Sequence, residues 1–493
     1  MISEIFATKT SIIFITDDNK ELTLKAFSPA TGENVLLGEF SLKSENGTFE
    51  IDREIGGRDG AFLRFESDVG GVKYVSRVEP EFKGEYPDPG TKKGLQVVNV
   101  NDAIELGVRY AAMNVAINDF MRSGPTEEYM GKWGHMMGGT IEYNYHGKTY
   151  YINKHHVFAL DRKFKELTDA GIIVTLILLA GKRWRTEVPE DMKKIVLHPD
   201  YDDEGTLSAF NTVTDEGVTY YEAWISFMME RWGVENGEYG RVYGMIISNE
   251  VQSQWIWGNA GHKTVEEFAR DYTQALRIAY IAGMSVFENM RVYISLDHFW
   301  GESMHEEERD KYYGAKELLT VINDNALKEG NFYWNIAHHP YPEDLTKPDF
   351  WNDETATDSP DTVRITFKNL EILAQFIYDE KFLFNGKRRR IILSEQGFNS
   401  KWTPESEILQ ATAYGRAYRK VMEIPEIDAF ILHAHYDSAS EFGLNLGLWR
   451  RYKEDEIPEG KSVWDMDRPK PIYYLFKEID KKDDTGKYTW ERF

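Results

Sequence analysis

The sequence predicts an α/β protein, a (β/α)8 TIM barrel behind a small N-terminal antiparallel β-sandwich domain. Three observations carry this. Residues 5 to 78 fall into short alternating runs broken by turn residues, residues 95 to 437 hold eight apolar runs of strand length separated by amphipathic stretches, and a Pro- and Gly-rich segment lies between the two textures. Period-two runs at close spacing belong to antiparallel sheets, whereas strands alternating with helices build a parallel one.

The first set comprises SIIFIT, ELTLKAF, NVLLGEFSL, GTFEID and AFLRFES, separated by DDNK, SPATGEN, SENG and GGRDG. EPEFKGEYPDPGTKKG then has the composition of a linker or strap, which divides the chain into a sandwich with its linker at 1–90 and a barrel at 91–493. The barrel strands are expected at LQVVNV (95–100), YAAMNVAIN (110–118), IIVTLILLA (172–180), YGMIISNE (243–250), RVYISLDH (291–298), FYWNIAHHPY (332–341), IILSEQG (391–397) and IDAFILHAHYD (427–437). Helical patterns between them include FALDRKFKELTDAG, YYEAWISFMMERWG, VEEFARDYTQALRIAYIAG, VRITFKNLEILAQFIYDE and EILQATAYGRAYRKVMEI. The insertions at 122–154 and 183–217 are long enough to wall a pocket or border a cleft.

Charge and composition narrow the function. With 58 Lys and Arg against 82 Asp and Glu, the net charge is −24, so phosphate backbones and anionic lipid repel the chain, and neither nucleic acid nor a membrane is an expected partner. The basic run at 387–390 is expected to be a solvated approach to a strand. There is no cysteine, which removes disulfides and thiolate chemistry. The N-terminus lacks a basic region and a long apolar core, so no signal peptide is expected; the protein is cytoplasmic, or secreted with its leader outside this sequence. No heptad pattern speaks to oligomeric state.

Active sites in (β/α)8 barrels sit where the strands end at the C-terminal face. Those ends offer Asn118 and Asp119, Lys182 and Trp184, Asn249 and Glu250, Asp297 and His298, His338, His339 and Tyr341, Glu395 and Gln396, and His435 and Asp437. Trp255, Trp257, Trp300, Trp402 and Trp449 follow in the loops. Carboxylates ringed by Trp, Asn, His and Tyr suit a sugar, whose faces stack on indoles and whose hydroxyls need neutral donors and acceptors. Glu250 ends the fourth run and Glu395 the seventh, on opposite sides of the mouth. Two such carboxylates can flank a glycosidic bond, one protonating the leaving oxygen and the other attacking the anomeric carbon.

SNE at 248–250, LSEQG at 393–397, HPY at 339–341 and the closing DRPKPIYYLFKEID resemble the clan A glycoside hydrolases, the 4/7 superfamily of retaining barrels, and within it uncharacterised bacterial members. The resemblance covers roughly residues 95 to 480. It implies Glu250 as acid/base, Glu395 as nucleophile, Asn249 on the sugar 2-hydroxyl, and His339 and Tyr341 lining the same subsite with Tyr341 supporting the nucleophile. An acid/base that alternates roles needs a pKa well above that of an exposed Glu. The chain departs from the clan at strand two, where Asn118 and Asp119 stand in place of an Arg. It departs again after strand eight, where HAHYD replaces a Trp platform that Trp449 or Trp402 would then supply.

Rival readings are a metal-dependent barrel hydrolase, suggested by His433 and His435 at i and i+2, and a non-catalytic carbohydrate-binding barrel. A satisfied or substrate-binding His435 is favoured over a metal ligand, and no metal is expected. His338 and His339 are adjacent, so at most one should face the mouth. The chain has neither GxxxxGK nor GxGxxG, and no cofactor is expected. The sandwich contains no Trp, the first being Trp133, so packing against the barrel is its expected role.

Overall fold

The computed structural model describes residues 1–493 except 18–20, 44–45, 132–135, 182–188, 463–464, 483–487 and 489–493. Eight parallel strands close into a barrel: β1 (Lys93–Leu95), β2 (Tyr110–Ala116), β3 (Ile173–Leu179), β4 (Val242–Ile247), β5 (Arg291–Leu296), β6 (Trp334–His338), β7 (Ile391–Leu393) and β8 (Ile427–Leu432). Closure comes from β1 pairing with β8, Gly94 opposite Ile431. A Cβ at Gly94 would stand 2.8 Å from the Ile431 side chain and 3.1 Å from Tyr110 Cβ, so this seam needs glycine.

A helix follows each strand: α1 (Val100–Glu105), α2 (Lys154–Asp169), α3 (Asp215–Trp232), α4 (Val265–Val286), α5 (Ala315–Glu329), α6 (Glu371–Phe376), α7 (Pro404–Met422) and α8 (Pro471–Glu478). The starts are written locally. Thr264 and Glu267 form a reciprocal capping box on α4, and Thr403 caps α7 with Pro404 in its first turn. One expectation fails: of VRITFKNLEILAQFIYDE only α6 is α-helical. The first half of that segment is claimed by the loop after β5, with Ile365 N–H donating to His298 O and Trp300 N–H to Val363 O, and these bonds outcompete helical propensity.

The N-terminal sandwich sets the sheet Thr48–Asp52, Ser11–Thr16, Ile2–Ala7, Arg77–Val78 against the sheet Leu36–Lys43, Glu21–Phe27, Arg64–Ser67. All pairings within these two sheets are antiparallel except that of Arg77–Val78 with Ile2–Ala7. Phe14 and Phe65 meet edge-on at 5.0 Å between the sheets. Their apolar core is continuous with that under α3 and α4. Polar ties join the units: Arg58 reaches Asp215 at 2.9 Å and both Glu222 oxygens at 3.1 Å, and Thr31 Oγ1 donates to Asp271.

The strap closes the N-terminal end of the barrel. Phe82 stacks on Phe287 at 4.9 Å, and the Arg291 guanidinium lies 3.4 Å over the Tyr86 ring. Among the described residues, no helix is long and apolar enough to cross a membrane.

Candidate active site

Inside the barrel, Ile246, Tyr293, Ala337, Ile392 and Ile431 share one apolar cluster. Side chains alternate along a strand, so two-residue steps from these positions toward the C-terminal ends lead to Ser295 and Asp297, His339, Ser394 and His433. The same step from Gly94 reaches Gln96. These residues build the floor of the mouth.

Glu250 stands above β4 on a left-handed backbone, φ 40°, two residues after Ser248 at φ 65°. Such conformations cost of order 1 kcal/mol each in non-glycine residues and persist where the surroundings impose them. Here Glu250 N–H donates to Ser295 Oγ at 2.9 Å, and Ser248 Oγ to Trp257 O at 3.2 Å. Beyond Glu250, Gln252 Nε2 and Ser253 Oγ donate to the two oxygens of Asp297 at 2.7 and 2.5 Å. The Glu250 side chain accepts on Oε1 from His339 Nδ1–H at 2.9 Å, and no partner holds Oε2 among the described residues.

Glu395, just past β7, is held from two sides. Tyr341 OH donates to Oε1 at 3.3 Å and Gln96 Nε2 to Oε2 at 3.4 Å. His339 links the two carboxylate ends of the mouth, because its other nitrogen, Nε2, meets Ser394 Oγ at 3.0 Å.

The electrostatics divide the acids. Burial pushes the Glu395 carboxyl up, but the neighbouring His433 and His339 rings, whenever they carry charge, and the hydrogen bonds from Gln96 and Tyr341 outweigh it and hold the group below its ordinary range. Burial and the nearby Glu250 charge push Asp297 up instead. Burial draws His339 toward neutrality, yet its bond to Glu250 and the charges of Glu395, Glu250 and Asp297 raise it overall. The mouth therefore separates two buried carboxyls, Glu395 favoured as the anion and Asp297 pushed toward its neutral form.

The profile of a family of unknown function (DUF5722) matches residues 85–491. The chain belongs to this family. No curated protein sequence matches it. Among solved structures this DUF5722 chain aligns with a family 39 glycoside hydrolase from Bacteroides cellulosilyticus WH2, at 14% identity over 97% of this chain and 82% of that one, with a TM-score of 0.43. It also aligns with a hyperthermophilic β-glucosidase from Pyrococcus furiosus, at 14% identity over 77% and 82% of the two chains and a TM-score of 0.46. A family 1 β-glucosidase from Thermotoga maritima aligns at 12% identity over 77% and 84%, with a TM-score of 0.43.

The remaining strand-end residues of this DUF5722 barrel separate into two groups. Asn249 and Trp257 stay half-exposed beside Glu250, and the Trp257 ring packs on the barrel's inner cluster. The others have protein partners of their own. Trp300 is 1% exposed, edge-on to Phe376 with its indole N–H on Pro360 O. The Trp255 ring is contacted by the Lys311 ammonium at 4.4 Å and the His262 ring at 5.0 Å. Asp297 is buried and fastens the loop after Glu250, as above, with Phe299 N–H as a third donor. His298, neutral because burial lowers its pKa to about 4, donates to Tyr341 O and so orients that tyrosine's backbone.

Gln396 points away from Glu395 and ties β7 to β8 through Ile431 O at 2.7 Å. Asn118 accepts from Gly181 N–H at 3.3 Å. His435 bonds Asp102 at 2.7 Å through Nε2 and accepts Val98 N–H on Nδ1. Trp449 donates to the same Asp102 at 2.8 Å. Asp437 forms a fully buried pair with Lys470 at 2.9 Å and accepts Trp402 Nε1–H at 2.6 Å. Trp184 lies outside the described residues.

The rival metal reading requires His433 and His435 to share one face. β8 ends at Leu432, and its inward alternation carries one step further, to His433, but not on to His435. The two rings diverge, His433 to Gln96 and Glu441, His435 to Asp102. Of the adjacent pair before Tyr341, His339 faces the mouth and His338 faces outward to Ile365 O. Among the described residues, no three His, Asp or Glu side chains group as metal ligands. The structure adds Gln96, Ser394 and Glu441 to the mouth, together with His433, which the sequence offers only as half of a rival metal pair. Gln96, Ser394 and His433 could have been found by extending the inward alternation of β1, β7 and β8 by one step.

Proposed function

We propose that this protein is a retaining glycoside hydrolase acting on an oligo- or polysaccharide, with Glu395 as nucleophile and Glu250 as acid/base. The observation that carries the reading is the pair itself: two carboxylates above β4 and β7, one held ionised by Tyr341, Gln96 and nearby positive rings, the other with one oxygen fixed by His339 and one open. Glu395 attacks the anomeric carbon as the bond from that carbon to the leaving oxygen breaks, and the leaving oxygen takes a proton from Glu250. Water then attacks the same carbon, gives its proton to Glu250, and releases Glu395 as carboxylate. In this reading Asn249, next to Glu250 in sequence, bonds the sugar 2-hydroxyl, and half-exposed Trp257 offers an apolar face. The clan A resemblance of SNE and LSEQG points the same way. In this reading residues 1–90 are an accessory unit that packs on the barrel and shapes its cleft, and no cofactor takes part.

Intact-protein mass after incubation with a panel of 2-fluoro glycosides tests this. Wild type should gain one sugar mass and Glu395→Gln none, with the carboxyl groups about 5 Å apart as double displacement requires. An adduct that persists in Glu395→Gln would remove Glu395 as nucleophile; no adduct and no turnover of any glycan would remove the hydrolase reading.

A further inference from the structure

His433 lies between two acceptors. Its Nδ1 is 2.7 Å from Gln96 Oε1 and its Nε2 is 3.0 Å from Glu441 Oε2. The Gln96 amide has one orientation that satisfies both its neighbours, because its Nε2 faces the Glu395 carboxylate at 3.4 Å and a carboxylate can only accept. Its oxygen must then face His433, and the ring nitrogen there must carry the proton. The second ring nitrogen faces another carboxylate and must carry one too. An imidazole with protons on both nitrogens is a cation.

Glu441 is the distant member of this chain of contacts. It sits on the loop after β8 at the rim, its side chain 26% exposed, and its carboxylate approaches no site residue except His433 by hydrogen bond among the described residues. The charged or titratable groups that face His433 are Glu395 just past β7 and Glu441 on its own loop, with Tyr341 and His339 from the loop after β6 around Glu395. Gln96 on β1 is neutral. The ring is therefore flanked by two anions.

We propose that Glu441 is a positioning residue that holds His433 as an imidazolium, and that this cation, relayed through Gln96, keeps Glu395 ionised and aimed. The inference rests on the glycosidase reading only for its kinetic consequence; the charge of His433 is a property of the folded chain. Burial opposes the charge, and the Glu441 hydrogen bond with the Glu395 and Glu441 charges overcomes that opposition. The arrangement gives a rim loop control over the protonation of a group at the barrel floor, and anything that moves Glu441 off His433 should raise the pH at which Glu395 loses its proton.

Histidine-selective nitrogen NMR on the full chain, with the signal assigned by its loss in His433→Gln, reads the charge directly. At pH 7 the wild-type ring should show both nitrogens protonated, and in Glu441→Gln a single N–H. A neutral His433 in wild type overturns the proposal, as does a doubly protonated ring in Glu441→Gln. Glu441→Asp, which keeps the charge in the loop, should restore the second proton at least in part. On whichever glycoside the fluoro-sugar panel identifies, the acid limb of kcat/KM should move up by about one pH unit in Glu441→Gln and less in Glu441→Asp. An unmoved limb overturns the link to Glu395. If wild type turns over no glycoside, the hydrolase reading fails separately while the nitrogen signals still decide the charge.

Discussion

Tyr341 carries two duties at the scale of one residue. Its hydroxyl supplies one of the two side-chain hydrogen bonds to Glu395 among the described residues, and its backbone is held by His298. Tyr341→Phe keeps the ring and removes the donor, so kcat/KM should fall by about 10- to 100-fold, the range for a hydrogen bond to a charged group. Its pH dependence has a definite sign. Glu395 must be ionised to attack, activity falls as pH drops through its pKa, and loss of a donor raises that pKa, so the acid limb moves to higher pH. A full pH–rate profile of the variant checks both, and an unmoved limb would show that the 3.3 Å contact does not act on the charge. Glu250, Glu395, His339 and Tyr341 are all strand-end polar residues visible in the sequence. Gln96 was harder to see, because it meets Glu395 across a sequence separation of 299 residues and has an ordinary strand residue's surroundings.

At the scale of the element, the loop after β8 departs furthest from its expected role. Residues 433–437 look like a continuing strand with a paired-histidine face, yet the strand stops and His435, Asp437 and Trp449 become anchors to α1, Lys470 and Asp102. The anchored base projects a tight turn in which Leu444 N–H returns to Glu441 O at 2.8 Å, with Phe442 at φ 50° and Gly443 at φ 87°. Positive φ at both central positions favours Asn or Gly, and Phe442 is 89% exposed, so its ring gains little packing for the strain. Phe442→Asn should raise unfolding stability by up to about 1 kcal/mol in urea titration. A loss of stability would mean that the ring is packed in solution.

At the scale of the whole molecule, the sandwich and the barrel share a continuous core and a buried ionic joint. Arg58 from the sandwich meets Glu222 on α3 with both partners' side chains largely buried, 12% and 3% exposed. Removing one member of such a pair strands a charge. Arg58→Ala should cost about 3–5 kcal/mol in denaturant unfolding, whereas replacing the exposed Lys9, paired with Glu81 at the surface, should cost less than about 1 kcal/mol. Comparable losses in the two variants would mean that the joint is solvated.

The sequence by itself determined the barrel, the sandwich before it, the strap between them and the two carboxylates above β4 and β7. Each of these is written in local periodicity and turn chemistry, which act over a few residues. The tertiary structure alone decided which aromatic and acidic strand-end residues face the mouth and which are consumed in anchors. It also decided that Gln96 meets Glu395 and that His433 bridges Gln96 and Glu441. Barrel closure brings the first strand against the eighth, and the hydrogen bonds that follow depend on loop paths that no residue's neighbours in sequence prescribe.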